Sequence, residues 1–176
     1  MPPNTTLRAA QPADFTAITA LYAHHVAHGT ASFELQPPTL DEMLARAGAI
    51  NANGLPYQVA ERAGEVLAYA YATPYRPRPA YRFTVESSVY VRHDMGGRGL
   101  GSALMGEVIA HCEAAGYRQM LAVIGDSHNH ASIALHQRLG FARAGVFEAV
   151  GFKFGRWLDT VLMQRALGSG ASTPAS

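Results

Sequence analysis

Cys112 is the only cysteine in a chain of 176 residues. It cannot form an internal disulfide, which excludes a disulfide-stapled secreted scaffold and points to a reducing compartment. An excess of one charge is also lacking, since 14 basic residues against 13 acidic ones give a formal net charge of +1. That balance offers no general field to attract nucleic acid or an anionic lipid surface, so any anion must be met by a local site. Apolar runs long enough to cross a bilayer are missing, the longest being broken by charge, glycine or proline. Nothing at the N-terminus has the charged segment and apolar core of a secretory signal. A cytoplasmic address, no membrane and no nucleic-acid partner are the resulting expectations.

What is present is enough apolar material to fold: 48% of residues are hydrophobic and 15% charged, so the chain can offset its ordering entropy. The length suits one domain over 1–176, with an ordered core of about 5–167 and a small, polar tail over 168–176 expected to fray. No internal repeat or low-complexity linker divides it.

Local patterns predict a mixed α and β order. Leu7 to Ala9 reads as a short strand, and Pro12 with Asp14 opens a helix that runs to about His28. Thr39 and Glu42 have capping-box spacing before the apolar stripe Leu40, Met43, Leu44 and Ala47. Tyr57 to Ala60 and Val66 to Ala72 read as a hairpin around Arg62 to Glu65, followed by a proline-rich loop from Pro74 to Pro79. Phe83 to Val91 has strand composition and stops at Gly96, Gly97, Gly99 and Gly101. A helix through Leu104, Val108 and Cys112 ends at Gly116. Met120 to Ile124 reads as a buried strand, Ala131 to Leu139 as a helix closed by Gly140, and the remainder as two strands around Gly151 to Gly155.

A strand, a glycine-dense loop and a helix form an anion trap, because the free amides of a helix N-terminus point at the ligand and glycine lets phosphate approach. The alternative is a purely structural turn. The loop lacks the Gly-Lys-Ser/Thr ending of a P-loop, and no acidic ribose partner of a dinucleotide fold follows it.

Gly96-Gly97-Arg98-Gly99-Leu100-Gly101 resembles the pyrophosphate loop of the GNAT superfamily, Arg/Gln-x-x-Gly-x-Gly/Ala. Asn129-His130-Ala131-Ser132-Ile133-Ala134-Leu135-His136, running into Leu139-Gly140-Phe141, is similar to that superfamily's second cofactor signature. The likeness extends to the phosphinothricin and methionine sulfoximine acetyltransferase family through Thr30 to Phe33, Arg76 to Arg82, Thr84 to Val91 and Gly151 to Asp159. The resemblance implies an α/β (α+β) GNAT fold: a mixed, mostly antiparallel sheet, splayed near its centre and flanked by helices, with acetyl-CoA in the split and no metal. Where the family pattern has Arg or Gln, this chain has Gly96, so Arg98 is expected to supply the positive charge beside the backbone amides.

Residue roles follow from chemistry and from that resemblance together. An ammonium has no lone pair, so attack on a thioester needs a base; Glu86 is the candidate, and a structural ion pair with Arg76, Arg78 or Arg82 is the alternative. His136, whose pKa lies near working pH, is expected to protonate the leaving thiolate or, alternatively, to pack or cap at its helix end. Expected to hold the cofactor are Val89, Tyr90, Val91, Gly96, Gly97, Arg98, Gly99, Leu100, Gly101, Ser102, Asn129 and Ser132. Asn129 alone would equally serve as an N-cap. Arg76 and Arg78, on a proline-stiffened loop, would grip acidic or polar oxygens of the acceptor, or else are solvated surface charges. Thr30, Ser32, Phe33, Thr84, Val85 and Glu86 complete the expected acceptor wall, although Thr30 to Phe33 alone would also make a polar turn with a packing anchor.

Cys112, on an apolar helical stripe, is read as core rather than nucleophile. His24 and His28 have the i, i+4 spacing of a metal pair without an evident third ligand. Phe154 and Trp157 read as core or interface. The expected function is N-acetylation of a small amino-acid-like amine from acetyl-CoA in a ternary complex, by a homodimer. A transferase for another small amine, or a CoA-binding sensor without chemistry, is the alternative.

Overall fold

The computed structural model describes residues 1–174. Seven strands form one sheet in the order β1-β2-β3-β4-β5-β7-β6. The strands are β1 (Thr6–Ala9), β2 (Tyr57–Arg62), β3 (Glu65–Pro74), β4 (Thr84–Val91), β5 (Gln119–Gly125), β6 (Ala142–Lys153) and β7 (Arg156–Ala166). Four helices accompany them: α1 (Phe15–His28), α2 (Leu40–Ala52), α3 (Leu100–Ala114) and α4 (His130–Arg138).

The predicted boundaries move by a few residues, each for a local reason. Pro12 to Asp14 form a 3-10 turn, because the Asp14 carboxylate is drawn back to Arg8 at 2.7 and 2.8 Å and to the Gln11 amide at 2.7 Å. The Thr39–Glu42 capping box forms reciprocally: Thr39 Oγ1 accepts from the Glu42 amide at 3.2 Å, and Glu42 Oε2 accepts from the Thr39 amide at 2.6 Å. Ala63 and Gly64 take φ of 52° and 83°, and Phe154 and Gly155 take 52° and 72°. Left-handed pairs of this kind turn both hairpins tightly.

Alternation along β4 separates the two faces of the sheet. Tyr90 meets Tyr22 of α1 edge-on at 5.0 Å, whereas Val89 and Val91 lie against Gly101 of α3. α1 and α2 therefore cover one face and α3 the other. The α3 stripe Leu104, Met105, Val108 and Cys112 is fully buried, so Cys112 is a core residue, its thiol pushed up to about 12 by burial.

β4 and β5 pair parallel only from Thr84–Gln119 to Ser87–Ala122; every other strand contact is antiparallel. Beyond Ser87 the two strands part. Of the tail expected to fray, residues 168–174 form turns against Arg118, which donates to Thr173 Oγ1 at 2.7 Å and to the Pro174 carbonyl at 2.9 Å. Residues 175–176 lie outside the described residues.

Candidate active site

A parting between two parallel strands leaves the facing backbone of each without a ladder partner, and a polar cleft results. Here it measures about 890 Å³ and runs from the split, along Ser87 to Val91 of β4 and Ala122 to Gly125 of β5, to the loop before α3 and the inner face of α4. All twelve residues expected to hold the cofactor line it.

At one end, Gly97 and Gly99 take φ of 71° and 79°, and Gly99 is the α3 N-cap. The first intrahelical bond is donated by Ala103 to the Gly99 carbonyl at 3.0 Å, so the amides of Leu100, Gly101 and Ser102 have no helical acceptor. Three free amides at the positive end of a fifteen-residue helix, with exposed Arg98 beside them, fit a diphosphate. Gly101 admits α4: a Cβ there would lie 2.8 Å from Leu135 Cδ1. This close approach is what brings the second cofactor motif over the split.

Asn129 caps α4 by accepting from the Ser132 amide at 3.2 Å and also faces the cleft. One turn on, His136 is 3% exposed and its Nδ1 lies 2.8 Å from the Ser132 carbonyl oxygen. A carbonyl only accepts, so Nδ1 carries the proton and Nε2 presents the lone pair. Nε2 is buried without a partner among the described residues, and burial pushes the His136 pKa down. In this state Nε2 is a proton acceptor, and His136 could donate there only after taking up a proton.

Glu86 lies on the α1/α2 face, opposite Thr73 of β3 and beside Leu121 of β5, at the level where β4 and β5 still pair. Its carboxyl is half-buried and burial raises its pKa. The alternative of an ion pair with arginine is not realised among the described residues: Arg76 stacks on Tyr75 at 5.1 Å and Arg82 on Phe83 at 4.4 Å, while Arg76 and Arg78 are exposed and, like Glu86, lie outside the lining of this cleft. Val85 points away from the acceptor face into the core and is fully buried, which removes it from the expected substrate wall. Thr84 is half-buried and lies outside the cleft lining.

Of the α1–α2 loop, Thr30 lines the cleft, whereas Ser32 and Phe33 hold the loop in place. Ser32 Oγ is within 2.8 Å of Tyr22 Oη. Phe33 covers Gly151 and Gly125, where added Cβ atoms would lie 2.3 and 2.9 Å from its ring.

Residues that sequence reasoning did not assign complete this wall. Buried Lys153 donates from Nζ to the Ser32 carbonyl at 2.8 Å. Asp126, with φ of 69°, accepts from Thr30 Oγ1 at 3.0 Å and from Arg156 at 2.6 Å. His25 donates from Nε2 to the Val91 carbonyl at 2.8 Å. These partners are 66 to 121 positions apart for His25, Thr30 and Lys153, and no local spacing signals them. Among the described residues no group of three or more His, Cys, Asp or Glu side chains is arranged for a metal ion; His93 instead stacks on His24 at 4.2 Å.

Comparison with known proteins agrees with this geometry. Residues 18–141 match the model of the Acetyltransferase (GNAT) family. A phosphinothricin N-acetyltransferase of Alcaligenes faecalis is 56% identical, over 96% of this chain and 85% of its own. An L-methionine sulfoximine/L-methionine sulfone acetyltransferase of Pseudomonas paraeruginosa is 43% identical, over 97% and 99%. The crystal structure of a GNAT superfamily phosphinothricin acetyltransferase from Sinorhizobium meliloti in complex with acetyl-CoA superposes with a TM-score of 0.95 at 48% identity, covering 98% of this chain and 94% of that one. The fold is thus shared with acetyltransferases over nearly the full length, and the chain belongs to the GNAT acetyltransferase family.

Proposed function

We propose that this protein acetylates the α-amine of an amino-acid-like acceptor, of the kind phosphinothricin and methionine sulfoximine represent, by direct transfer in a ternary complex. The observation that carries the reading is Glu86, a half-buried carboxylate with no cation beside it among the described residues, in the last paired stretch of β4 and β5 just before they part. Acetyl-CoA supplies the acetyl group as a thioester activated towards amines.

The chain's own groups do the rest. The amides of Leu100 to Ser102 and the Arg98 guanidinium hold the diphosphate, while Asn129, Ser132 and the Val89 to Val91 backbone flank the pantetheine arm. A backbone amide of that β4 segment donates to the carbonyl oxygen as charge develops on it. Two protons must leave the ammonium nitrogen before it becomes an amide. Glu86 takes the first, directly or through one water, and His136 Nε2 takes the second and hands it to the departing sulfur. Arg76 and Arg78, just beyond Thr73 on the β3–β4 loop, bind the acceptor's carboxylate, and the Thr30 to Phe33 loop closes the opposite side.

The active form is a homodimer in this reading, and the single cysteine supports a cytoplasmic address; among the described residues no helix is long and apolar enough to cross a membrane. The test is thiol release from acetyl-CoA with a panel of amines that includes phosphinothricin and methionine sulfoximine. Turnover confined to amino-acid-like amines is expected. Acetyl-CoA binding without turnover on any amine would instead make the protein a cofactor sensor.

A further inference from the structure

His136 presents a basic nitrogen that the fold itself does not use. Its Nδ1 is turned back along α4 to the Ser132 carbonyl, so Nε2 is the ring's remaining polar atom and carries the lone pair. The side chain lines the cleft, packs edge-on against Phe141 at 5.0 Å and is buried, yet Nε2 has no hydrogen-bond partner among the described residues. A buried acceptor of this kind is met by water or by a ligand group. Burial also disfavours the charged ring, which leaves the lone pair free at neutral pH. Other titratable groups along the cleft are engaged or solvated: His25 Nε2 donates to the Val91 carbonyl, Asp126 is bound to Thr30 and Arg156, and His128 is exposed. Among the described residues His136 is the buried base of the cleft.

Proton counting separates this residue from Glu86. An ammonium acceptor sheds two protons on becoming an amide, and the first falls to Glu86, which lies outside the lining of the cleft. A water molecule attacking the same thioester arrives neutral and sheds only one proton in the transfer. One positioned base is then sufficient.

We propose that the protein has a second activity, hydrolysis of acetyl-CoA to acetate and CoA when no amine is bound, carried by His136 and independent of Glu86. Water donates one O–H to Nε2 as its oxygen bonds to the thioester carbon. The C–S bond then breaks with its electron pair leaving on sulfur, and the proton on Nε2 passes to that sulfur. Acetic acid and the CoA thiol result, with water as the only co-reactant. The inference rests on the placement of the thioester beside His136 in the proposed transfer. A bound amine takes the place of this water, so acetylation and hydrolysis compete for one acetyl group.

The experiment follows thiol and acetate release from saturating acetyl-CoA without any amine, in wild type, Glu86→Gln, His136→Phe and His136→Gln, with calorimetric titration of acetyl-CoA into each. Wild type should release equal amounts of thiol and acetate at about 10²-fold or more above the buffer rate, the lower end of what a positioned base contributes. Glu86→Gln should keep that hydrolysis while its acetylation of methionine sulfoximine falls by about 10²- to 10⁴-fold. The His136 variants should drop to the buffer rate with acetyl-CoA still bound, and the Gln variant decides if the Phe variant does not fold. Thiol without matching acetate, hydrolysis that survives in a folded His136 variant, or a loss in Glu86→Gln equal to its loss of acetylation overturns the proposal. Two failures stay distinct. Amines acetylated with no amine-free hydrolysis overturns this inference alone, whereas His136-dependent hydrolysis with no amine acetylated supports it and removes the amine reading.

Discussion

Glu86 carries a raised pKa because burial penalises its charged form, and no cation offsets that penalty. The folded state then holds the proton to higher pH than the unfolded chain, so stability falls as pH rises from the ordinary glutamate range through the folded pKa. Glu86→Gln should therefore raise Tm at neutral pH, with the difference from wild type shrinking in acid; calorimetric melts across pH check the sign. The same variant should lower kcat by about 10²- to 10⁴-fold with acetyl-CoA affinity retained. A wild-type rate and pH profile in Glu86→Gln would falsify the assignment of the base.

His136 has the opposite linkage. Its folded pKa is depressed, so it contributes stability that is present above the ordinary histidine pKa of 6.5 and is lost as pH falls through the folded value. His136→Phe should flatten the loss of stability below about pH 6.5. It should also lower kcat without raising KM for acetyl-CoA. An unchanged kcat with a merely shifted Tm would reduce His136 to packing.

At the scale of elements, the α1–α2 loop is seated by contacts from two strands. Phe33 lies over Gly125 of β5 and Gly151 of β6, and Lys153 at the end of β6 holds the Ser32 carbonyl. Gly151→Ala would press a methyl group into the Phe33 ring, a displacement that overpacking data put at about 1–3 kcal/mol. Because that loop is the acceptor side of the cleft in the proposed mechanism, KM for the amine should rise several-fold while acetyl-CoA binding stays near wild type. Isothermal titration and steady-state kinetics separate the two. Gly99 lies at the other end of the cleft with φ of 79°, in a region that β-branched residues avoid. Gly99→Val should weaken acetyl-CoA binding sharply by turning the Leu100 to Ser102 amides away from the diphosphate. Unchanged affinity in a folded variant would move the phosphate site elsewhere.

At the scale of the whole molecule, an apolar surface remains on the β6–β7 hairpin. Phe147, Phe152, Phe154 and Trp157 are 55 to 64% exposed. Such a cluster on one hairpin suits burial against a second copy across a two-fold axis. Light scattering should give a dimer mass at micromolar concentration, and Phe152→Asp combined with Trp157→Asp should shift it to the monomer.

Elements whose signals are local were legible in the sequence. The capping box of α2, the glycine-capped start of α3, the two hairpin turns and the apolar stripe burying Cys112 depend on neighbouring residues, whose spacing survives in any tertiary setting. The end of the cleft assigned to the cofactor was readable for the same reason: it consists of two contiguous segments, 96–102 and 129–136, each folded by its own helix start. Tertiary structure alone decided the rest. The parting of β4 from β5 after Ser87, the freedom of Glu86 from every nearby arginine, the tautomer of His136 and the clamp of Lys153 and Asp126 on the α1–α2 loop all join distant parts of the chain. Periodicity and spacing report which way a side chain faces within its own element, whereas pairing between elements sets which groups meet, how deeply they are buried and therefore which protons they hold.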